Sequence, residues 1–169
     1  MNAVPDLRIG QGFDVQRHSD DPTRVLVIGG VRFPGEPGLA GHSDADPAAH
    51  AVTDAILGAA GLGDIGEHFP DTDPRWRGAD SIELLRLAVA AVHEAGWRVV
   101  NVDCSVICER PKLAPARAEM QRILGEAVGA PVTVKGRRAE ELGAIGRREG
   151  IAALAVALLA RPTTDPGAP

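Results

Sequence analysis

Asp14 and Gln16, two residues apart in "GFDVQR", would share one face of a strand. His50, from a stretch with helical apolar spacing, could complete a three-donor metal site with one position left open for a ligand. Carboxylate and imidazole are ordinary ligands of a divalent ion, whereas an amide is a poor one. The same residues also read as polar groups at a strand end and a helix histidine bonded to backbone. His42 and Ser43 lie in "GHSDADP", a glycine-led loop entering a helix, where free N–H groups and the helix dipole attract phosphate; a plain capping loop is the alternative. Asp64, Asp71 and Asp73 of "GDIGEHFPDTD" suit sugar or polyol hydroxyls, because carboxylates accept strong hydrogen bonds. Lys135, Arg137, Arg138, Arg147 and Arg148 sit close in sequence and as a group could offset a diphosphate, although singly each reads as a solvated charge. "GQGFDV" lacks the third glycine of a dinucleotide fingerprint and opens no helix.

These groups need elements to carry them. Leu7 to Gln16 and Arg24 to Phe33 are rich in branched apolar residues and read as two strands. Asp46 followed by Pro47 starts a helix that runs to about Ala60 and stops at Gly61. "GLGDIGEHFPDTDPRWRG" reads as one long loop, a length that in compact domains is often functional. Asp80 with Glu83 three residues on forms a capping-box pattern for a second helix ending at Gly96, with Ile82, Leu85, Val89 and Val92 inward. Alternation in "VVNVDCSVIC" puts Val100, Val102, Cys104, Val106 and Cys108 on the buried face of a strand. A third helix begins near Pro115 and a short strand covers "PVTVKG", followed by the loop "RRAEELGAIGRREG". Ile151 to Ala160 is a continuous apolar run that composition alone leaves as helix or inner strand. The order implies an α/β, two-layer sandwich of a mixed sheet backed by helices, in a single domain covering 1–169. Its core is expected over about 7–161, with 1–6 and 162–169 flexible.

With 169 residues, 44% hydrophobic and only 3% aromatic, the core must be filled by aliphatic side chains. A net charge of -5 argues against a nucleic-acid platform, which needs surplus Lys and Arg. Cys104 and Cys108, on one strand, stand about 13 Å apart at ~3.3 Å per residue, too far for a disulfide. No basic-then-apolar leader and no membrane-length apolar run is seen, so a cytoplasmic protein without a membrane partner is expected.

Taken in order, "RIGQGFDVQR", "IGGVRFP", "GLAGHSDADPAAHAVTDAILGAAGLGDIGEHFPDTDPRWRGADS", "NVDCSVI", "RPKLAP" and "ELGAIGRREGIA" closely resemble the 2-C-methyl-D-erythritol 2,4-cyclodiphosphate synthase family, from about Arg8 to Arg161. The resemblance implies a homotrimeric, CMP-releasing lyase of isoprenoid biosynthesis, with active sites between adjacent subunits. In that family the 2-phosphate of a cytidine-diphosphate substrate attacks its own β-phosphorus and CMP leaves. Such phosphoryl transfer requires neutralised charge, in-line oxygens and exclusion of water. A zinc-like ion polarises the β-phosphate, and magnesium or manganese bridges α and β.

Carried onto this chain, the metal site falls on Asp14, Gln16 and His50, with histidine expected at 16. His42 and Ser43 match the phosphate-holding loop, His42 also stabilising the transition state. Asp64, Ile65 and Gly66 match the ribose contacts, and Phe69, Pro70, Asp71, Thr72 and Asp73 a further substrate loop. Cys108, Glu109, Arg110, Pro111, Lys112, Leu113 and Ala114 match the cytosine pocket. Glu140 matches the acid near the second metal. Ala144 and Arg147 fall at the trimer's central cavity, where the family can hold an isoprenoid diphosphate. The last apolar run becomes a strand.

Three departures stand out. Gln16 replaces a metal histidine, and His18, on the same strand face, lies about 7 Å further along at the usual strand rise. Arg137, Arg138 and Ala139 replace a threonine run, so a small hydroxyl on the diphosphate gives way to a cationic fork at Arg138. That fork could supply catalytic charge or fill the nucleotide pocket. Ala144 replaces a phenylalanine. Three readings follow: a synthase with altered metal dependence, a trimeric relative acting on another cytidine or phosphate substrate, or a non-catalytic nucleotide-binding trimer.

Overall fold

The computed structural model describes residues 6–161. Four strands form one mixed sheet in the order β1-β6-β4-β5. They are β1 (Asp6–Arg17), β4 (Arg98–Ile107), β5 (Val132–Arg137) and β6 (Gly150–Arg161). β6 runs antiparallel to both β1 and β4, while β4 and β5 are parallel. The helices α1 (Pro47–Ala60), α3 (Ser81–Glu94) and α4 (Arg117–Val128) cover one face. The expected mixed sheet backed by helices is therefore what the chain forms. Asp6, expected to fray, pairs with Arg161; the remaining terminal residues lie outside the described ones.

The final apolar run is strand β6. Its alternation explains the choice: Ala153, Ala155 and Ala157 face the helices and are buried, while Leu154 and Val156 face the uncovered side. Small residues on the helix side let α1 come close. Gly10 and Gly12 on β1 carry this further, since a Cβ at either would overlap the Ala55 or Ala51 carbonyl oxygen of α1. Backbone meets backbone there, and the next residues on that strand face, Asp14 and Gln16, are carried to the N-terminal end of α1.

Asp46 fixes that end. Its carboxylate is fully buried and accepts from the N–H groups of Ala48 and Ala49 at 3.0 and 3.1 Å. It also accepts from Gly29 and Gly30 at 2.8 and 2.7 Å, so the helix cap doubles as an anchor for a turn 16 residues earlier. Burial pushes this carboxyl up, opposed by the Gly30 and Gly29 N–H groups.

Several expected elements are redrawn. The stretch 24–33 is no single strand: β2 (Val25–Ile28) and β3 (Val31–Pro37) form a hairpin. Gly29 and Gly30 at φ 58° and 76° supply its two-residue turn. The loop after Gly61 contains α2 (Ile65–His68) and a 3-10 turn at Pro74–Trp76, capped by Asp64 and Asp73. The loop after β5 contains α5 (Gly143–Gly146). Val100 is exposed, because a register shift between Val99 and Asn101 interrupts the alternation of β4. Asp80 caps α3 through the Ile82 N–H, but Glu83 pairs with Arg86, leaving the capping box half made. No helix among the described residues is long and apolar enough to cross a membrane.

Candidate functional site

Two cavities account for most of the candidate residues. The first, of about 210 Å³, opens where β1 meets the N-terminal end of α1, and Asp14, Gln16, His42, Ser43 and His50 all line it. Asp14 is the hub. Its Oδ2 accepts from Gln16 Nε2 and lies against His50 Nδ1, each at 3.1 Å. Gln16 also donates to Oδ1 at 3.3 Å. His50 Nε2 sits 2.9 Å from Ser81 Oγ and 3.2 Å from Ser43 Oγ. Ser81 in turn donates to Asp44. Burial pulls the His50 imidazole down, but the Asp14 bond and the charges of Asp14, Asp46 and Asp44 outweigh it, leaving the group above its ordinary value.

The frame has the size of a small ion's ligand shell, since bonds of about 2.0–2.1 Å place tetrahedral neighbours about 3.3 Å apart. The donors do not match zinc. Gln16 turns the N–H side of its amide to the carboxylate, both imidazole nitrogens have partners within the chain, and a neutral amide oxygen is a weak zinc ligand. Among the described residues no group of three His, Cys, Asp or Glu side chains could hold an ion. His18 does not compensate. Its Nδ1 lies 3.2 Å from the Pro37 carbonyl, and it lines a different cavity.

The loops that close this cavity are tied to the same helix. Asp54, one turn beyond His50, accepts from the Ile65 N–H at 2.8 Å and so holds α2 in place. Ile65, Gly66 and Phe69 reach the cavity wall, whereas Asp64 spends its carboxylate on capping Glu67 N–H at 3.0 Å. Asp71 and Thr72 are exposed. Asp73 holds Arg75 through its side chain, and its carbonyl lies 3.3 Å from His42 Nε2. Pro70 lies between those loops, half-buried.

The second cavity, of about 290 Å³, lies at the other edge of the sheet. Its floor is apolar, with Cys108, Leu113 and Val134, and cationic Lys112, Arg117, Arg137 and Arg138 surround it. Pro111 and Ala114 complete the expected stretch. Burial raises the Cys108 thiol to about 11, so it serves as apolar wall and not as a nucleophile. Arg138 stands at the rim of this space, its guanidinium bonded to Glu109 at 2.8–2.9 Å.

The remaining candidates are scattered. Arg110 pairs with Glu36 at 3.1 Å away from the second cavity, and Arg147 pairs with Glu149 at 2.7 Å. Ala139, Glu140 and Ala144 lie on the segment after β5, where Glu140 takes the left-handed φ of 53°. The basic group is not one patch: Lys135 pairs with Asp103 at 2.6 Å on the uncovered sheet face, and Arg148 lines the cavity of His18. Sequence spacing overlooked Ser81, Asp44, Trp76 and Arg117. Only Asp54, four residues after His50, carried a readable signal.

A family model described as the YgbB family matches residues 7–160. The 2-C-methyl-D-erythritol 2,4-cyclodiphosphate synthase of Cupriavidus metallidurans is 55% identical over 163 residues, covering 95% of this chain and 96% of its own. That of Bordetella avium is 57% identical over 158 residues, covering 92% and 96%. The structure of Plasmodium falciparum IspF in its CDP complex superposes with a TM-score of 0.81 at 31% identity, over 95% of this chain and 100% of that one.

Proposed function

The chain belongs to the YgbB family, and from that premise we propose that it cyclises a cytidine-diphosphate substrate bearing a 2-phosphate. The 2-phosphate oxygen forms a bond to the β-phosphorus, the bond from that phosphorus to the α,β-bridging oxygen breaks, and CMP leaves with the electron pair. The observation that carries this reading is the near end-to-end identity with cyclodiphosphate synthases, 55% over 163 residues. The proposed setting is the isoprenoid branch of cytoplasmic metabolism, with the chain acting as a single domain.

On this reading the apolar floor of the second cavity takes the cytosine, and Arg137, Arg138, Lys112 and Arg117 face the phosphates. Four cations around one opening favour an anion with spread charge. His42 and Ser43 present donors to the transferring phosphate, and Ile65, Gly66 and Phe69 shield it from water. Glu140 is assigned to the second-metal position and Ala144 and Arg147 to the central cavity, by resemblance. A divalent ion is the family-level expectation, zinc with magnesium or manganese beside it. Asp14 and His50 are the donors left to hold the first, and Gln16 weakens that hold, so the steps above rest on the chain's own groups.

A homotrimer is part of the proposal. The two cavities share no lining residue. Gln16 on β1 pairs with Ile151 on β6, while Arg137 on β5 lies beyond β6 and β4, so three strand spacings, roughly 14 Å, separate the two edges. A compact substrate is then served by cavities of adjacent copies. The uncovered sheet face supports this, with Ile9, Phe13, Val15, Leu154 and Val156 between 41% and 74% exposed.

Incubating the purified protein with the cytidine-diphosphate precursor and following CMP and the cyclic product tests the reading. Multiple-turnover release supports it, and a light-scattering mass of three chains supports the assembly. Arg138 in place of a small hydroxyl favours a second reading, a different cytidine or phosphate compound in the same cavity. Tight CDP binding without CMP release would favour it.

A further inference from the structure

We infer that Glu109 is a positioning residue, holding Arg138 at the rim of the base-end cavity so that the guanidinium meets the ligand's phosphates. This rests on reading that cavity as a cytidine diphosphate site. Glu109 belongs to the loop between β4 and α4, yet its side chain is only 2% exposed. A carboxylate so covered is stable only when its oxygens are bonded, and each oxygen has a partner. Oε2 accepts from Arg138 Nε at 2.9 Å and lies 2.8 Å from Arg138 Nη2. Oε1 accepts from the Glu141 N–H at 3.2 Å.

Both partners lie on the segment that leaves β5. That segment lacks regular pairing, and Glu140 and Glu141 take left-handed φ values of 53° and 62° in succession. Non-glycine residues hold such a conformation only where their surroundings fix it. Glu109 therefore ties the loop on one side of the cavity to the segment on the other. Arg138 itself is 61% exposed along its side chain, and without a partner its flexible stem would sample many directions. Bonded through Nε and one terminal nitrogen, it keeps its remaining donors for a ligand and loses less freedom when one binds.

The alternative is that Glu109 simply cancels part of the positive charge, and the two roles predict opposite signs. As a charge, its removal should strengthen anion binding. As a positioner, its removal should weaken binding, and an isosteric amide that keeps an acceptor oxygen should recover part of the loss. Calorimetry on the full chain at fixed salt, with CDP and with cytidine as probes, separates them. The CDP-to-cytidine affinity ratio is expected to fall about 5–10-fold in Glu109→Ala, as for loss of one well-placed charged hydrogen bond. Glu109→Gln should fall less, and Glu109→Ala combined with Arg138→Ala should fall no further than Arg138→Ala alone.

An unchanged or larger ratio in both Glu109 variants overturns the inference, as does additive loss in the double variant. Should Glu109→Ala fail to fold, Glu109→Gln still decides by the sign of the change. If the unaltered protein binds cytidine but shows no preference for CDP, the inference falls while the base site stands. If it binds neither, the proposed function falls as well.

Discussion

Around Asp14 the polar atoms find their partners inside the protein: the amide of Gln16, the imidazole of His50, then Ser81 and Asp44 behind it. Around Arg138 the guanidinium is largely exposed, on a segment without regular pairing, and is steered by one covered carboxylate. The first cavity inherits its geometry from close packing of β1 on α1, so it is stiff. The second inherits its geometry from side-chain bonds between loops, so it can be retuned by single substitutions. Gln16 and Arg138, the two polar side chains that hold these arrangements together, fall one in each region. In the stiff region an amide is bonded to a carboxylate within an ion-sized frame, while in the adjustable region a guanidinium is bonded to one.

The largest expected effect attacks the stiff region through packing. Gly12→Val sets a side chain against the Ala51 carbonyl and should destabilise by about 3 kcal/mol, the upper range for overpacking. Denaturant unfolding measures it; a loss under about 1 kcal/mol would mean that the close approach is not what holds the site. Next comes the donor itself. Gln16→His should raise zinc affinity by more than the roughly 10–100-fold that outer-shell changes produce, read by metal content after dialysis. Equal zinc in both proteins would show that this position does not limit the metal.

In the adjustable region Arg138→Thr should weaken CDP binding by about 3–10-fold and flatten its salt dependence, as loss of one cationic fork would. Tighter binding would instead mean that the arginine obstructs the pocket. The smallest effect is a pH dependence. The Arg138 bond holds Glu109 below its ordinary value, helped by the Glu141 N–H. A lowered carboxyl contributes stability above its unfolded pKa, near 4.3, and loses it as pH falls through the folded value. The melting-temperature gap between the unaltered protein and Glu109→Gln should therefore hold steady from pH 8 to about 5 and close only below about 4. A gap that closes near neutrality would implicate another group.

Much of the fold was legible because its signals are local. The Asp46-Pro47 start, the Gly61 stop and the apolar period of α3 each depend on a few neighbouring residues, and each element formed there. What misled was also local. "RVLVIGGVRF" has the composition of one strand, and only the paired left-handed glycines turn it into two. Val100 obeys the alternation in sequence, but a register shift against β6 exposes it. At the candidate site, Asp14, Gln16 and His50 could be nominated from spacing. Ser81 and Asp44 could not, since Ser81, which links Asp44 to His50, lies 37 residues from one and 31 from the other and leaves no periodic trace.

Residue types by themselves thus determined the layers and the family likeness, because those depend on propensity, capping and the identity of side chains. Tertiary packing alone decided that Gln16 would bond to Asp14, that Arg138 would lie against Glu109, and that the basic residues would be split among separate surfaces. Such pairings arise from distances across the sheet and between loops, which no stretch of neighbouring residues encodes.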